Sequence, residues 1–236
     1  QQAQQFGPIK EGNSTVNNIK GMWLETGGSG ENTYQVLYYV STSKDKVYKS
    51  TFPSALQPST NVQGLAKVGS NWWLVVDGLS GSETDYLLKL MPGEVYVEEV
   101  YATPSSNATG LAYDGTRLWL TDNSDGNGRI YPMSTADGTV LPTVNGVSSS
   151  NGFKVPGQCG DNNDQMCNGA GGVAWTGSSL AVVRSDENHN GFVTMDTTGG
   201  EITKGSMQYD CCSGPTGSDG IAFLGEGSYI IANAGK

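Results

Sequence analysis

The chain has 236 residues, 15% of them charged, and carries a formal net charge of −10 with only 13 basic side chains. This acidic balance excludes a general affinity for nucleic-acid phosphates or anionic lipid surfaces, because both require basic patches. Short apolar runs separated by Gly, Ser, Thr and Asn are typical of an all-β protein, and the 34 glycines lack the three-residue period of collagen. No apolar run approaches the roughly 20 residues that cross a membrane, so no membrane span is expected.

Three features of the chain together predict a secreted protein. The chain starts with Gln1 rather than Met, has an even number of cysteines, and contains two N-glycosylation sequons, at Asn13 and Asn107. An oxidising extracellular setting favours disulfide bonds. We therefore expect a secreted, monomeric glycoprotein with disulfide bonds. The cysteines available for these bonds are Cys159, Cys167, Cys211 and Cys212.

A repeated unit starts at Gly21 (GMWLETGGSG, resuming at Tyr34 as YQVLYYVSTS) and recurs along the chain. The later copies align without a gap: GLAKVGSNWWLVVD from Gly64, GLAYDGTRLWLTDN from Gly110, GVAWTGSSLAVVRS from Gly172 and GIAFLGEGSYIIAN from Gly220. Each of these copies opens with Gly, an aliphatic residue and Ala, and has a second Gly five residues later. This pattern predicts two apolar strands joined by a glycine turn.

Third strands are predicted at Lys46 (KVYKS), Tyr86 (YLLKL), Arg129 (RIYPM) and Phe192 (FVTMD), and weaker fourth strands at Val95 (VYVEEVY) and Thr139 (TVLPTV). A recurring unit of four antiparallel strands is the pattern of a β-propeller blade. Residues 1–236 are therefore predicted to form one β-propeller domain of five four-stranded blades, starting near residues 21, 64, 110, 172 and 220. The alternatives are a sixth blade within residues 110–172, where no further repeat is visible, and a β-sandwich, which would not explain the ungapped repeat.

The last unit reaches Lys236 directly after its second strand, so the ring needs further strands to close. An unclosed ring would leave two sheet edges exposed. We expect residues 1–20 to supply the missing outer strands, through residues 6–10 and 15–19. The alternative is a frayed N-terminus beside an incomplete blade.

Two loops between second and third strands share a pattern of alternating oxygen side chains followed by Gly and an aliphatic residue. The ligand positions would be Asn123, Asp125 and Asn127 in the third unit, and Asp186, Asn188 and Asn190 in the fourth. Such alternation is how short loops bind Ca²⁺, although the glutamate of a complete calcium-binding hand is absent. Each loop is therefore either a weak structural Ca²⁺ site or a plain Asn/Gly turn. No phosphate-binding motif is present, so no nucleotide cofactor is expected.

The cysteines lie in segments that lead into the fourth and fifth units, one of them an inserted loop over residues 145–171. Cys159 and Cys167 can be bonded to Cys211 and Cys212, or each pair can close locally, and the sequence does not decide between these. A zinc site is disfavoured, because the chain has a single histidine and the spacing fits no common zinc pattern.

Residues directly before the repeat glycines are expected to surround the mouth of the propeller axis: Lys20, Gln63, Thr109, Gly171 and Asp219. The ends of the second strands add polar residues farther out: Asp77, Asp122, Arg184 and Asn233. The only histidine, His189, is either a general base or a solvated turn residue. Trp73, Trp119 and Tyr229 share one repeat position and are predicted to pack between blades.

The segments GLAYDGTRLWLTDN and SDGIAFLGEGSYIIANAGK resemble the blade signatures of the calcium-dependent gluconolactonase (senescence-marker) family of six-bladed propellers. This resemblance implies an axial metal held by a Glu before the first inner strand, by Asn residues in the middle and by the Asp of a late Asp-Gly pair. Asp219 and Gly220 match that pair, and Asn107 lies near the middle position. The chain departs from the family at Lys20, which stands where the Glu is expected.

Three functions remain open at this point, and the sequence does not decide whether the protein is an enzyme. The first is binding of a small molecule or carbohydrate on the loop-rich face, whose mixed acid and amide side chains suit sugar hydroxyls. The second is a divalent-metal-dependent lactonase or hydrolase, with Asp219 as the catalytic residue assisted by Gln63 or Asn107. The third is a non-catalytic interaction scaffold.

Overall fold

The computed structural model of the chain describes residues 10–11, 14–15, 19–27, 34–41, 46–47, 50–51, 61–77, 84–90, 97–123, 128–156, 170–185, 190–206 and 218–233. Every regular element in these ranges is a β-strand, which confirms the all-β prediction. Within the same ranges there is no helix long and apolar enough to cross a membrane.

The strands form a series of antiparallel sheets, which we number in chain order. A ribbon of β1 (Lys10–Glu11) and β2 (Ser14–Thr15) comes first. Sheet 1 consists of β3 (Ile19–Gly27), β4 (Tyr34–Ser41), β5 (Lys46–Val47) and β6 (Ser50–Thr51). Sheet 2 consists of β7 (Asn61–Val68), β8 (Asn71–Asp77), β9 (Tyr86–Leu90) and β10 (Val97–Ala102).

Sheet 3 consists of β11 (Ala108–Tyr113), β12 (Leu118–Asp122), β13 (Arg129–Met133) and β16 (Phe153–Lys154), and a hairpin of β14 (Thr143–Val144) and β15 (Val147–Ser148) precedes β16. Sheet 4 consists of β17 (Val173–Trp175), β18 (Leu180–Ser185), β19 (Asn190–Met195) and β20 (Glu201–Ser206). Sheet 5 consists, in the described chain, of β21 (Ser218–Gly225) and β22 (Ser228–Asn233). Four of these sheets thus have the predicted four antiparallel strands.

The second glycine of each repeat makes the predicted turn between the first two strands of its sheet. These glycines have positive φ angles of 60° (Gly69), 94° (Gly115), 94° (Gly177) and 98° (Gly225). Such angles are strained for residues with a side chain but cost glycine little. The turn therefore explains why each repeat has a glycine at its second recurring position.

The first glycine of the repeat lies where neighbouring sheets approach each other. We call the first strands of the five sheets the inner strands (β3, β7, β11, β17 and β21). Among these, β7 contacts β3 and β11, and β17 contacts β11 and β21. β21 in turn contacts β3. A Cβ atom on Gly64 would lie 2.8 Å from the carbonyl carbon of Gly110 and 2.8 Å from the nitrogen of Leu111. On Gly110 it would lie 2.9 Å from the carbonyl oxygen of Gly171. The repeat glycines therefore permit the inner strands to pack backbone against backbone.

The core lies between adjacent sheets, as the repeat predicts for its tryptophans. Trp73 is 1% exposed and packs between sheets 2 and 3, and Trp119 is fully buried between sheets 3 and 4. Tyr229 also packs between sheets, as predicted, but against the preceding sheet: its ring lies 4.9 Å from that of Phe192 in sheet 4. A register shift in sheet 5 pairs Ile230 with Ala222, where Trp119 pairs with Ala112, so Tyr229 faces the opposite side of its sheet.

Two predicted outer strands differ from the structure. In sheet 3 the predicted fourth strand TVLPTV meets β13 only through a bridge between Val140 and Met133, and β16 completes the sheet by pairing with β13. Both β15 and β16 lie inside 145–171, where the sequence predicts an inserted loop. In sheet 1 the predicted strand KVYKS is shortened to β5, which turns back into β6.

Closure of the ring by residues 1–20 stays a prediction. β1 and β2 pair with each other, and no strand of the described ranges pairs with the outer edge of β22. Residues 1–9, 12–13 and 16–18 lie outside those ranges.

Candidate functional site

The residues that the sequence singles out lie along one edge of the sheets. At this edge, which we call the loop edge, inner strands begin and second strands end, opposite to the glycine turns. The pairs Asn61–Asp77, Ala108–Asp122 and Ser218–Asn233 mark it in sheets 2, 3 and 5. Because all strands are antiparallel, the loops between second and third strands and the connections between sheets also lie at the loop edge.

The inner strands bulge at the loop edge, directly before the repeat glycine. Register shifts fall between Val62 and Gly64, between Ala108 and Gly110, and between Ser218 and Gly220. The extra residues are the predicted mouth residues Gln63, Thr109 and Asp219. A bulge redirects the side chain of its extra residue, so these positions are set apart from the regular ladder.

Thr109 uses its redirected side chain to join sheet 3 to sheet 4. Its hydroxyl donates a hydrogen bond to the carbonyl oxygen of Ala170. The Thr121 hydroxyl donates to the Gly171 carbonyl oxygen over 2.6 Å. The nitrogen of Gly171 in turn donates to the Val183 carbonyl over 2.9 Å, inside sheet 4. The mouth residues Thr109 and Gly171 therefore take part in contacts that hold sheets 3 and 4 together.

A buried carboxylate, which the sequence analysis missed, joins sheet 2 to sheet 3. Asp85 is 1% exposed, and its Oδ2 accepts a hydrogen bond from the backbone nitrogen of Ala108 over 2.6 Å. Its carbonyl oxygen accepts hydrogen bonds from both the nitrogen and the hydroxyl of Thr103, each over 3.0 Å. Asp85 thus fixes the connection that leads from β10 into the inner strand β11. No pattern distinguishes it within the polar run SGSETD.

Two further acceptor side chains lie at the same edge of sheet 3. Asp122 ends β12, is 2% exposed and pairs across the ladder with Ala108, the residue that Asp85 contacts. The nitrogen of Asn123 donates to the Asn107 carbonyl over 2.9 Å. Its side-chain oxygen, Oδ1, is shielded from solvent and accepts no hydrogen bond from the described part of the chain. A buried acceptor in that state favours a donor from a ligand, such as a hydroxyl group or a cation.

The remaining predicted site residues are only partly placed. The backbones of Lys20, Asp77, Arg184, Asn190, Asp219 and Asn233 lie in strands, but their side chains are outside the description. Residues entirely outside the described ranges are Asn13, Asp125, Asn127, Cys159, Cys167, Asp186, Asn188, His189, Cys211 and Cys212. Within the described residues, no group of three or more His, Cys, Asp or Glu side chains could hold a metal. The Ca²⁺ sites and the disulfide bonds remain predictions.

Two carboxyl groups with lowered pKa values lie in turns between outer strands, away from these acceptors. The Gly200 nitrogen and the Thr198 hydroxyl donate to Asp196 and lower the pKa of its carboxyl group. Hydrogen bonds from Ser134 and Thr139 lower the pKa of Asp137 in the same way. These shifts accompany turn formation and mark no reactive group.

A recess of about 430 Å³ lies between β10 and the turn that precedes Val140. Its wall contains Val100, the ring of Tyr101, and one exposed carboxylate, Asp137. The Tyr101 ring lies against Gly138, where a Cβ atom would meet it at 2.4 Å. The recess contains one exposed carboxylate, whereas the loop edge contains buried hydrogen-bond acceptors. We therefore take the loop edge as the candidate site.

No family model and no curated protein matches this chain. Solved structures that are similar to it include the glutaminyl cyclase of Myxococcus xanthus, at 12% identity and a TM-score of 0.45 over 90% of this chain and 68% of that one. A nidogen/laminin complex matches at 14% identity and a TM-score of 0.45, over 85% of this chain and 65% of that one. The Dos1 propeller matches at 9% identity and a TM-score of 0.40, over 78% of this chain and 42% of that one.

Proposed function

We propose that the protein is a secreted five-bladed β-propeller that binds a small polyhydroxylated molecule or carbohydrate at the loop edge of sheet 3, beside Asn123. The observation that carries this proposal is the buried Asn123 Oδ1, which accepts no hydrogen bond from the described residues. Amide and carboxylate oxygens only accept hydrogen bonds, so a ligand that matches them must bring donors. Sugar hydroxyls supply several donors in a small space.

The neighbourhood of Asn123 supports this choice. Asp122 adjoins it in the chain and is buried, and Asp85 reaches the same strand start from sheet 2. Ligand sites of this kind combine a buried setting with a few fixed polar groups. The hydrogen bonds from Asn123 to Asn107 and from Ala108 to Asp85 fix the backbone around the acceptors. A ligand would therefore bind to a largely preformed site.

Five blades are supported by the contacts of the inner strands, which include the cyclic order β3, β7, β11, β17, β21 and back to β3. Closure by the N-terminal segment is supported by side-chain burial in sheet 5. Tyr229, Ile230 and Ile231 on β22 are partly exposed, whereas Trp119 and Leu120 on the equivalent strand β12 are fully buried. Two further strands over β22 would cover these residues, as β13 and β16 complete sheet 3 beyond β12.

The test is a glycan array followed by titration calorimetry with the best ligand, on wild type and on Asn123→Ala. We expect the substitution to weaken binding roughly two- to tenfold, since one hydrogen bond in a buried site contributes roughly 0.5–1.5 kcal/mol. Ser178→Ala is the matched control, because Ser178 is exposed in the glycine turn of sheet 4, at the opposite edge. Its affinity should equal that of wild type.

Two results would contradict the proposal. One is the absence of binding to every glycan and polyol of the panel at millimolar concentration. The other is equal affinity of wild type and Asn123→Ala for a ligand that does bind. Hydrolysis of a sugar lactone that requires Ca²⁺ and is lost in Asp219→Asn would instead establish the lactonase alternative.

A further inference from the structure

Asn107 is the sequon asparagine that the structure describes, and its surroundings suit a covalent sugar. The residue is exposed, and its side chain makes no hydrogen bond to the described part of the chain. Its backbone is held, because its carbonyl accepts a hydrogen bond from the Asn123 nitrogen over 2.9 Å and its nitrogen donates to the Ser105 hydroxyl over 3.4 Å. A substituent on the amide would break no contact of the fold.

Of the other two sequon residues, Ala108 is buried and Thr109 is partly buried in the folded protein. Ala108 is 2% exposed, and the hydroxyl of Thr109 donates to the carbonyl oxygen of Ala170, which lies directly before the neighbouring inner strand. An enzyme that reads the threonine hydroxyl would have to break this hydrogen bond once sheets 3 and 4 have met. Modification must therefore precede the docking of β11 against β17, during synthesis of the chain.

We propose that Asn107 carries an N-linked oligosaccharide, attached before the sheets assemble, at the loop edge beside Asn123. In the transfer, Nδ2 of Asn107 forms a bond to the anomeric carbon of an oligosaccharide that is linked to a lipid diphosphate. The bond from that carbon to the diphosphate oxygen breaks, the lipid diphosphate leaves with the electron pair, and the amide loses one proton. The product keeps the Asn107 carbonyl, so the hydrogen bond from Asn123 persists.

A sugar on Asn107 has a consequence for the metal site that the family resemblance implies. A branched oligosaccharide must extend into solvent, whereas an axial metal ligand has to face the inner strands. The two roles of Asn107 exclude each other, and a glycan there would leave Asp219 without its proposed middle partner. This consequence does not depend on the carbohydrate-binding proposal, because the attached sugar is detected without any added ligand.

The experiment is peptide mapping of the chain secreted from a eukaryotic host. Trypsin releases residues 90–117, a peptide in which Asn107 is the only asparagine. Release of N-glycans by peptide N-glycosidase in heavy-oxygen water converts a modified asparagine to labelled aspartate. We expect the label at residue 107 in wild type and in Thr109→Ser, which keeps the sequon and the hydroxyl, and its absence in Asn107→Gln.

Asn107→Gln should secrete and unfold like wild type, because its side chain supports no contact with the described residues. An unlabelled peptide 90–117 from secreted, folded wild type would overturn the proposal. So would an intact Asn107→Gln chain that still shows the full glycan mass of wild type, since the sugar would then lie elsewhere. Glycan-array binding without this label would leave the carbohydrate-binding proposal standing and remove only the modification site.

Discussion

Replacement of Gly64 by alanine tests whether the repeat glycines hold the inner strands together. The added Cβ would lie 2.8 Å from two backbone atoms of sheet 3, the Gly110 carbon and the Leu111 nitrogen, and 3.0 Å from the Gly110 Cα. None of these atoms belongs to a side chain that can turn away. Sheets 2 and 3 would have to separate, which costs about 3 kcal/mol at the upper end of the usual range for overpacking.

Gly69→Ala is the matched control in the same hairpin. Gly69 has a φ of 60°, and no atom lies within 4 Å of the position that a Cβ would take, so alanine there adds only conformational strain of about 1 kcal/mol. The expected difference of about 2 kcal/mol corresponds to roughly 4–8 °C in melting temperature for a domain of this size. Urea unfolding followed by tryptophan fluorescence measures both variants. Equal destabilisation of the two would refute close backbone packing as the reason for the first repeat glycine.

Three further predictions concern polar contacts. Asp85→Ala should lower the free energy of unfolding by about 1–3 kcal/mol, because the buried Ala108 nitrogen loses its acceptor, and Asp85→Asn should recover part of the loss in urea titrations. Asp114→Ala removes the 2.8 Å acceptor of the Trp119 indole and should lower the melting temperature by a few degrees, about 1 kcal/mol. The lowered pKa of Asp196 means that its ionised carboxyl group stabilises the folded state at pH values above 3.8, the ordinary pKa of the group. The difference in free energy of unfolding between wild type and Asp196→Asn should therefore shrink as the pH falls through and below 3.8.

Much of the sheet structure is predictable because it depends on local pattern. The strands YLLKL and RIYPM are confirmed as β9 and β13, with the predicted bounds. Each consists of alternating or continuous apolar residues next to a turn, and that information lies within a few positions of the chain. The glycine turns are local in the same sense, because a positive φ angle selects glycine directly.

The features that the sequence did not reveal depend on distant parts of the chain. β16 has only two residues, and its partner β13 lies about twenty residues earlier, so no periodic pattern marks it. The burial of Asp85 arises because sheet 3 begins against it, which a polar run in one loop cannot show. Tyr229 fails to match Trp119 because a register shift intervenes, and a shift of one residue exchanges the faces of a strand.

The two contacts of sheet 3 at the loop edge use opposite chemistry, and this difference decides where a ligand should act. Toward sheet 4, the hydroxyls of Thr109 and Thr121 are donors whose hydrogen bonds the carbonyls of residues 170 and 171 already accept. Around the first residues of β11, the buried carboxylates of Asp85 and Asp122 and the amide of Asn123 instead bring acceptor oxygens together, and the Asn123 oxygen receives no donor from the described residues. A donor-rich ligand therefore gains more beside Asn123 than at the hydroxyl groups that join sheets 3 and 4. Asp85 fixes the backbone of Ala108 beside this site, so Asp85→Ala should bind the ligand less tightly, and a bound ligand should raise its melting temperature less than that of wild type.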